Sequence, residues 1–560
     1  MASTSSSNPK VSGYSIYTRS RAKREKLNMD FKEVSVGRVD ANKIVSRAVS
    51  KRQSLKKIRG REEKVVEVKT PGVESPHSDG EQKFEPEKAE NTSEKDDVSM
   101  CFEPSTSSYI DVIERCGKEA VVELLQWLLK GPTEPEVFFA EKWEKQPFLI
   151  QRLNGDYYSG LYSIKEFEKA VNENDLHYDT EIDVVAYVDG ERKTLKNDIR
   201  VLPSFLWGAF KEGYSIRMRN SQLYTKSLES LCSLLEEYFS SYVDANMYLT
   251  PADTQGFPPH YDDTDAFILQ IEGKKLWKLY APSEREMLAR HSNPDLSETE
   301  IGEPCMEVEL HPGDMLYFPR GYIHQAKAAP GIHSLHLNLS VSQLNTWGNF
   351  LQHALSNALN EAVEYDIEFR KSIPTDYLDY MGQVHSDTDS KERQDFQKKA
   401  FSLIEKAYEY VSLDYAADAH GIVFIHRAVP PFLTSPEKFC SVHWNGACIE
   451  DGRALVSQEL NFNTKIRLIR KRAFKLVMDV NGTRLYYSLF NTKDRKQKEV
   501  DCIEVDPEDV PALIALFKAY PAYIKVKDLP HGNSAQLMAC LQPLYDNGFL
   551  LTEERVPFDE

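Results

Sequence analysis

The chain has 560 residues, of which 41% are hydrophobic and 11% aromatic, enough for a sizeable core and, by length, for roughly three or four domains. The formal net charge of -18 is unevenly spread: residues 1–70 hold 18 Lys/Arg against 7 Asp/Glu, residues 71–105 hold 3 against 10, and the other 455 carry a net of -22. No run of about 18 uncharged apolar residues occurs, MASTSSSNPK has no apolar h-region, and the eight cysteines are scattered without a CxxC pair, so the chain reads as soluble, intracellular and reduced, not membrane-spanning, secreted or disulfide-built.

Residues 1–105 are expected to be disordered. Ser, Lys, Arg and Glu dominate them, and apolar residues are too sparse to offset the entropy of ordering. Two basic clusters, RSRAKREK (19–26) and KRQSLKKIRGREEK (51–64), suit nuclear import or contact with RNA phosphates. Residues 71–105 read as an acidic linker. Order is expected from Tyr109, where Ile110, Ile113, Val121, Leu124, Leu125 and Leu128 recur at helical spacing. Short strand candidates then alternate with Gly, Pro and Asp turns: QPFLIQRL, DVVAYVDG, AFILQIEGKKLWKLYAP and DMLYFPRG. Many short strands with turn signals predict a sandwich or barrel.

After Ser342 the pattern becomes helical. Trp347, Phe350, Leu351, Ala354, Leu355, Ala358, Leu359 and Ala362 recur every three or four residues, and FQKKAFSLIEKAYEYV (396–411) is a second helix candidate. From about residue 440 the texture is mixed α/β, with strand candidates ALVSQEL, KIRLIRK, FKLVMDV and RLYYSLF and a helix candidate VPALIALFKAY. Cys440, His443 and Cys448 lack a fourth ligand and regular spacing, so zinc is not expected there.

The stretch richest in chemistry is GFPPHYDDTDAFILQIEGKKLWKLYAP (256–282). His260 and Asp262 are two apart at the start of a strand pattern, so both side chains can share one face, while Asp263 faces away. An imidazole and a carboxylate together suit a divalent transition metal. A third ligand must come from a neighbouring strand, and His291, His311, His324, His333 and His336 are the downstream candidates. HPGDMLYFPRGYIHQA (311–326) favours His324: a Pro-Gly-Asp turn, a strand over Met315–Phe318, a second turn, and a return bearing the histidine. A two-His, one-carboxylate triad leaves three metal positions open for cosubstrate and oxygen. His311 and His333 sit in turn contexts and read as exposed; His336, in SLHLNLSVS, reads as a strand residue lining or supporting the pocket.

HYDDTDAFILQIEGKKLWKLYAP followed by GDMLYFPRGYIHQA resembles the JmjC family of cupin-fold oxygenases. NMYLTPADTQGFPPHYDD, HSLHLNLS, NTWGNF and IPTDYLDYMG are similar, more narrowly, to the ribosomal oxygenases, and the similarity spans about residues 115–560. The resemblance implies a mainly β fold with α: a double-stranded β-helix (106–345), a helical dimerisation region (346–435) and a C-terminal winged-helix-like α/β domain (436–560). It implies Fe(II), 2-oxoglutarate and O2 as cofactor and cosubstrates, with His260, Asp262 and His324 as metal and catalytic residues. Lys275 matches the lysine that pairs with the distal 2-oxoglutarate carboxylate, and Asn246, Tyr248 and Ser340 match polar pocket positions. The implied activities are hydroxylation of a ribosomal-protein histidine and demethylation of methylated lysines of histone H3, in a nuclear or nucleolar homodimer. The long basic extension fits the nucleolar member of the family. Two other classes compete: a non-catalytic chromatin or ribosome-assembly binding protein on a cupin frame, and a winged-helix nucleic-acid binder. The acidic body argues against strong phosphate binding, leaving weak contact through the N-terminal tail.

Overall fold

A computed structural model of the chain describes residues 120–130, 134–195, 200–293, 295–443, 449–450, 453–454, 459–479, 482–491 and 501–555. The expected tail and linker, and the first part of the helix expected from Tyr109, lie outside them. Two helices come first, Ala120–Leu128 and Pro135–Glu141, the second with proline in its first turn, where no hydrogen bond is lost. Eleven strands follow: β1 Phe148–Ile150, β2 Ile182–Val188, β3 Glu191–Leu195, β4 Ser215–Met218, β5 Val243–Thr250, β6 Thr264–Gly273, β7 Lys275–Tyr280, β8 Met306–Leu310, β9 Met315–Phe318, β10 Ile323–Ala328 and β11 Ser334–Ser342.

These strands make an eight-stranded sheet, ordered β1-β9-β6-β11-β5-β4-β2-β3, and a three-stranded sheet, β10-β7-β8. Every pairing in both is antiparallel. Alternation along the strands decides which face meets what. On β6, Phe267, Leu269 and Ile271 join the core beneath the helix Lys226–Phe239, with Leu231, Leu234 and Leu235. Ala266 and Ile268 point the other way and join Trp277, Leu279 and Leu310 of the small sheet. The two sheets therefore face each other across an apolar layer, as in a double-stranded β-helix, and polar residues on those inner faces must be satisfied inside it.

The helix Trp347–Tyr365 packs Ala354, Ala358 and Ala362, all buried, on the helix Leu413–Arg427, while Trp347, Leu351, Leu355 and Leu359 stay exposed at 80%, 42%, 48% and 52%. The second helix runs over Lys391–Ala407, starting earlier than expected because Ser390 caps it by accepting from Arg393 N. The C-terminal part has its own core. It combines the strands Lys465–Leu468, Phe474–Asp479, Gly482–Tyr487, Cys502–Val505 and Leu550–Thr552 with the helices Val510–Ala519 and Ser534–Asp546. The strand expected over ALVSQEL is described only as Arg453–Ala454, and residues 455–458 lie outside the described residues. No helix among the described residues is long and apolar enough to cross a membrane.

Candidate metal centre and its pocket

Three chain segments build the site. His260 and Asp262 precede β6 in an extended lead-in, not in the strand itself, and His260 forms an isolated bridge with His324 of β10. His260 N donates to His324 O at 3.2 Å, His324 N to His260 O at 2.8 Å, and Gly321 N to Asp262 O at 3.0 Å. These cross-links bring the ligand atoms of His260, Asp262 and His324 within 4.8 Å of one another, and no other group of three such residues occurs among the described residues.

The tautomers follow from the backbone. His260 Nδ1 lies 2.8 Å from Pro258 O and His324 Nδ1 3.2 Å from Tyr322 O. A carbonyl only accepts, so each Nδ1 carries a proton, which leaves Nε2 as the ring atom available to a metal. Burial, and then His260, pull the His324 imidazole down to about 4, with Asp262 opposing, so His324 is neutral at physiological pH.

Deeper in the cavity, Lys275 is 5% exposed and donates from Nζ to Thr250 Oγ1 at 3.0 Å. Burial draws its ammonium down to about 7. Lys274 points outward to Glu309 at 3.2 Å. Lys275 faces the cavity and Lys274 does not, and Lys275 shares no strand with Ile271 and Gly273. The chain turns a corner at Gly273 (φ +63°), where a Cβ would lie 1.7 Å from His333 O, and Lys275 opens β7 in the opposite sheet.

Of the other expected pocket residues, Tyr248 lines the cavity and stacks on His336, with ring centroids 4.9 Å apart and an interplanar angle of 6°. Asn246 and Ser340 lie on the same inner face but do not line the cavity that Lys275 and His260 share. Asn246 is occupied by Asp244 Oδ2 at 2.7 Å and by Asn220 N at 3.0 Å, and Ser340 pairs with Asp244 and Ala266 two rungs beyond Tyr248. Burial pushes the Asp244 carboxyl up to about 6. Among the remaining histidines, His291 and His311 are exposed and His333 is half-buried, while His336 is 2% exposed in the cavity wall and held far below its ordinary range by burial, Lys275 and His324.

Gln270 Oε1, Trp277 Nε1, His336 Nδ1 and Asn338 Oδ1 are buried without a hydrogen-bond partner among the described residues. Orphaned buried polar atoms are costly. Trp277, His336 and Asn338 line the cavity that also holds the buried lysine, and their three orphaned atoms mark a place for a polar ligand. Thr250, Trp277 and Asn338 were not among the expected site residues. Thr250 and Asn338 carry a signal in the strict alternation of VDANMYLT and SLHLNLSVS, which puts a polar residue at every second position of two buried strands; Trp277 lies on neither strand.

A two-His, one-carboxylate centre between the facing sheets of a double-stranded β-helix defines a candidate facial-triad metalloprotein. The comparisons narrow this class. Residues 218–349 match the JmjC domain model, and residues 429–557 match the model for the C-terminal winged helix domain of ribosomal oxygenase 1. The chain is 37% identical over 439 residues to ribosomal oxygenase 1 of Rattus norvegicus, covering 78% of this chain and 73% of that one. It is 39% identical to ribosomal oxygenase 1 of Danio rerio, covering 78% and 81%. It is 37% identical to a bifunctional lysine-specific demethylase and histidyl-hydroxylase of Branchiostoma floridae, covering 81% and 71%. The chain belongs to the ribosomal oxygenase family.

Proposed function

We propose that this chain is an Fe(II)- and 2-oxoglutarate-dependent oxygenase that hydroxylates a histidine of a ribosomal protein, with demethylation of methylated lysines of histone H3 as a second activity. The observation that carries the reading is the convergence of His260, Asp262 and His324 beside a cavity that ends in the buried Lys275. The donor set fits: His260 and His324, through their Nε2 atoms, and the Asp262 carboxylate would hold an iron ion. When bound, iron with 2-oxoglutarate and O2 supplies the oxidising power to insert one oxygen atom into a substrate C–H bond.

The chain's own groups bind and orient. Lys275, with Thr250 holding its Nζ, meets the far carboxylate as a charge-assisted contact. Trp277 Nε1 adds a second donor on the same wall. The apolar layer of Ile268 and Leu279 behind them excludes water. Hydroxylation of a histidine side-chain carbon leaves a stable alcohol. Hydroxylation of an N-methyl group leaves a carbinolamine that releases formaldehyde and the demethylated amine.

Two further readings belong to the proposal. The exposed apolar stripe of Trp347, Leu351, Leu355 and Leu359 supports a homodimer through this helix, since symmetric pairing covers such a stripe with its own copy. The net charge of +11 over residues 1–70 supports targeting to the nucleus and nucleolus. The test of the catalytic reading is succinate formation by the full chain with Fe(II), 2-oxoglutarate and a ribosomal-protein peptide. Succinate matched one for one by hydroxylated peptide supports it. Absence of any 2-oxoglutarate turnover at saturating iron favours the non-catalytic binding protein instead.

A further inference from the structure

Lys275 is a buried amine without a counter-ion. In the small sheet it sits between Ala328 on β10 and Leu310 on β8, both apolar and buried. Its Nζ donates to the Thr250 hydroxyl at 3.0 Å and lies 5.8 Å from the Trp277 ring centre. Among the described residues it forms no ion pair. The residues lining its cavity include the titratable His260, His324, His336 and Tyr248, but no acid. A buried ammonium with nothing to balance it is costly, so the empty cavity favours the free amine. Its draw down to about 7 agrees, burial being the cause. A desolvated, neutral lysine is a nucleophile.

We propose that Lys275 is a carbamylation site: its amine takes up CO2 in the empty cavity, and the carbamate occupies the place of the far carboxylate of 2-oxoglutarate. The Nζ lone pair attacks the carbon of CO2. An N–C bond forms, one C=O electron pair moves onto oxygen, and Nζ gives a proton to water, so nothing is oxidised or reduced. CO2 is small and uncharged and can pass the apolar layer that holds back ions. The anion it leaves needs donors, and they are in place. Trp277 Nε1 lines the same cavity, buried and without a partner among the described residues. The Thr250 hydroxyl, which accepts from the amine, can turn its own proton to a carbamate oxygen. The adduct changes Lys275 from a cation binder into an anion, so the chain cannot carry it and hold the far carboxylate at once. The proposed reaction releases CO2 from 2-oxoglutarate in this cavity, which would make the adduct a product brake.

The test uses the full chain, free of metal and 2-oxoglutarate, equilibrated at neutral pH with isotope-labelled CO2 and bicarbonate. Carbon NMR should show a carbamate resonance that Lys275→Met lacks and Lys274→Ala keeps. Triethyloxonium then fixes the adduct as an ethyl carbamate, which peptide mass spectrometry should place on Lys275. This second measurement needs no variant and stands if Lys275→Met fails to fold. Identical spectra for wild type and Lys275→Met, or trapped chains with Lys275 unmodified, overturn the proposal.

The braking role rests on the oxygenase reading, and the adduct does not. 2-Oxoglutarate added with diamagnetic Zn(II) should erase the Lys275 resonance, while broadening of its own lines reports its binding in the same sample. Bound 2-oxoglutarate with the resonance intact overturns the shared place. An adduct on a chain that neither binds nor turns over 2-oxoglutarate sustains the site and ends the oxygenase reading alone. In turnover at constant pH, CO2 should raise KM for 2-oxoglutarate about twofold when half the empty chains carry the adduct, with kcat unchanged. A KM that stays fixed at that occupancy overturns the brake.

Discussion

Replacing Lys275 by methionine should stabilise the empty protein and cripple its binding of 2-oxoglutarate. Lys275 is 5% exposed, and burial brings its ammonium from the ordinary 10.5 down to about 7. The sign follows from proton counting. Below pH 7 the lysine is charged in both the folded and the unfolded chain, and the full cost of burying the charge is present. Between pH 7 and 10.5 the unfolded chain keeps the proton that the folded chain has released, so stability rises with pH by about 1.4 kcal/mol per unit from this group. Lys275→Met removes both the cost and the slope. Urea unfolding of the cosubstrate-free protein at pH 7, 8 and 9 should show the variant more stable at pH 7, with the advantage shrinking by about 1.4 kcal/mol per unit as the wild type catches up. In turnover assays the same variant should raise KM for 2-oxoglutarate by about 10- to 100-fold, the worth of one charge-assisted contact of roughly 1.5–3 kcal/mol. Wild-type affinity should weaken as pH rises past about 7, where the ammonium is lost, and the variant should be flat there. Lys274→Ala is the control, since its half-exposed ion pair with Glu309 contributes well under about 1 kcal/mol. A variant–wild-type stability difference that does not change with pH, or a KM effect in Lys274→Ala instead, would refute the reasoning.

Three other outcomes are expected. His324→Ala should abolish turnover and Co(II) binding while circular dichroism stays unchanged; normal metal-dependent turnover would exclude His324 as a ligand and make the buried His336 the next to test. Leu355→Glu combined with Leu359→Glu should convert a dimer into a monomer in light scattering, and a wild-type chain already at monomer mass would refute the dimer. Deleting residues 1–70 should shift a fluorescent fusion from nucleus to cytoplasm without changing peptide turnover, whereas persistent nuclear accumulation would refute the targeting role.

How far the site can be read from the sequence depends on whether its parts are local. His260 and Asp262 are legible because two residues apart on extended chain means one face, and His324 because two turn signals flank the strand before it. The pair sits ahead of β6, not inside it, but extended backbone outside a ladder alternates in the same way. Lys275 faces inward for a reason that period two does not supply, since the corner at Gly273 restarts the alternation in another sheet. Asn246 and Ser340 lie on the same face as Tyr248, Asn246 on the rung of Asn338 and Ser340 on the rung beyond it. Trp277 is invisible to local reading, as the facing of the two sheets, not spacing along one strand, brings it to His336. The helix Leu413–Arg427 escapes because its apolar residues are spread around the axis and give no stripe, packed as it is against both Trp347–Tyr365 and the C-terminal strands.

Mass spectrometry of ribosomal proteins incubated with the full chain, Fe(II), 2-oxoglutarate and O2 tests the central claim most directly. The account predicts a histidine-containing peptide heavier by one oxygen atom, absent when the chain carries His324→Ala or when 2-oxoglutarate is withheld. No oxygen added to any ribosomal histidine, under conditions where the chain turns over 2-oxoglutarate, would contradict it.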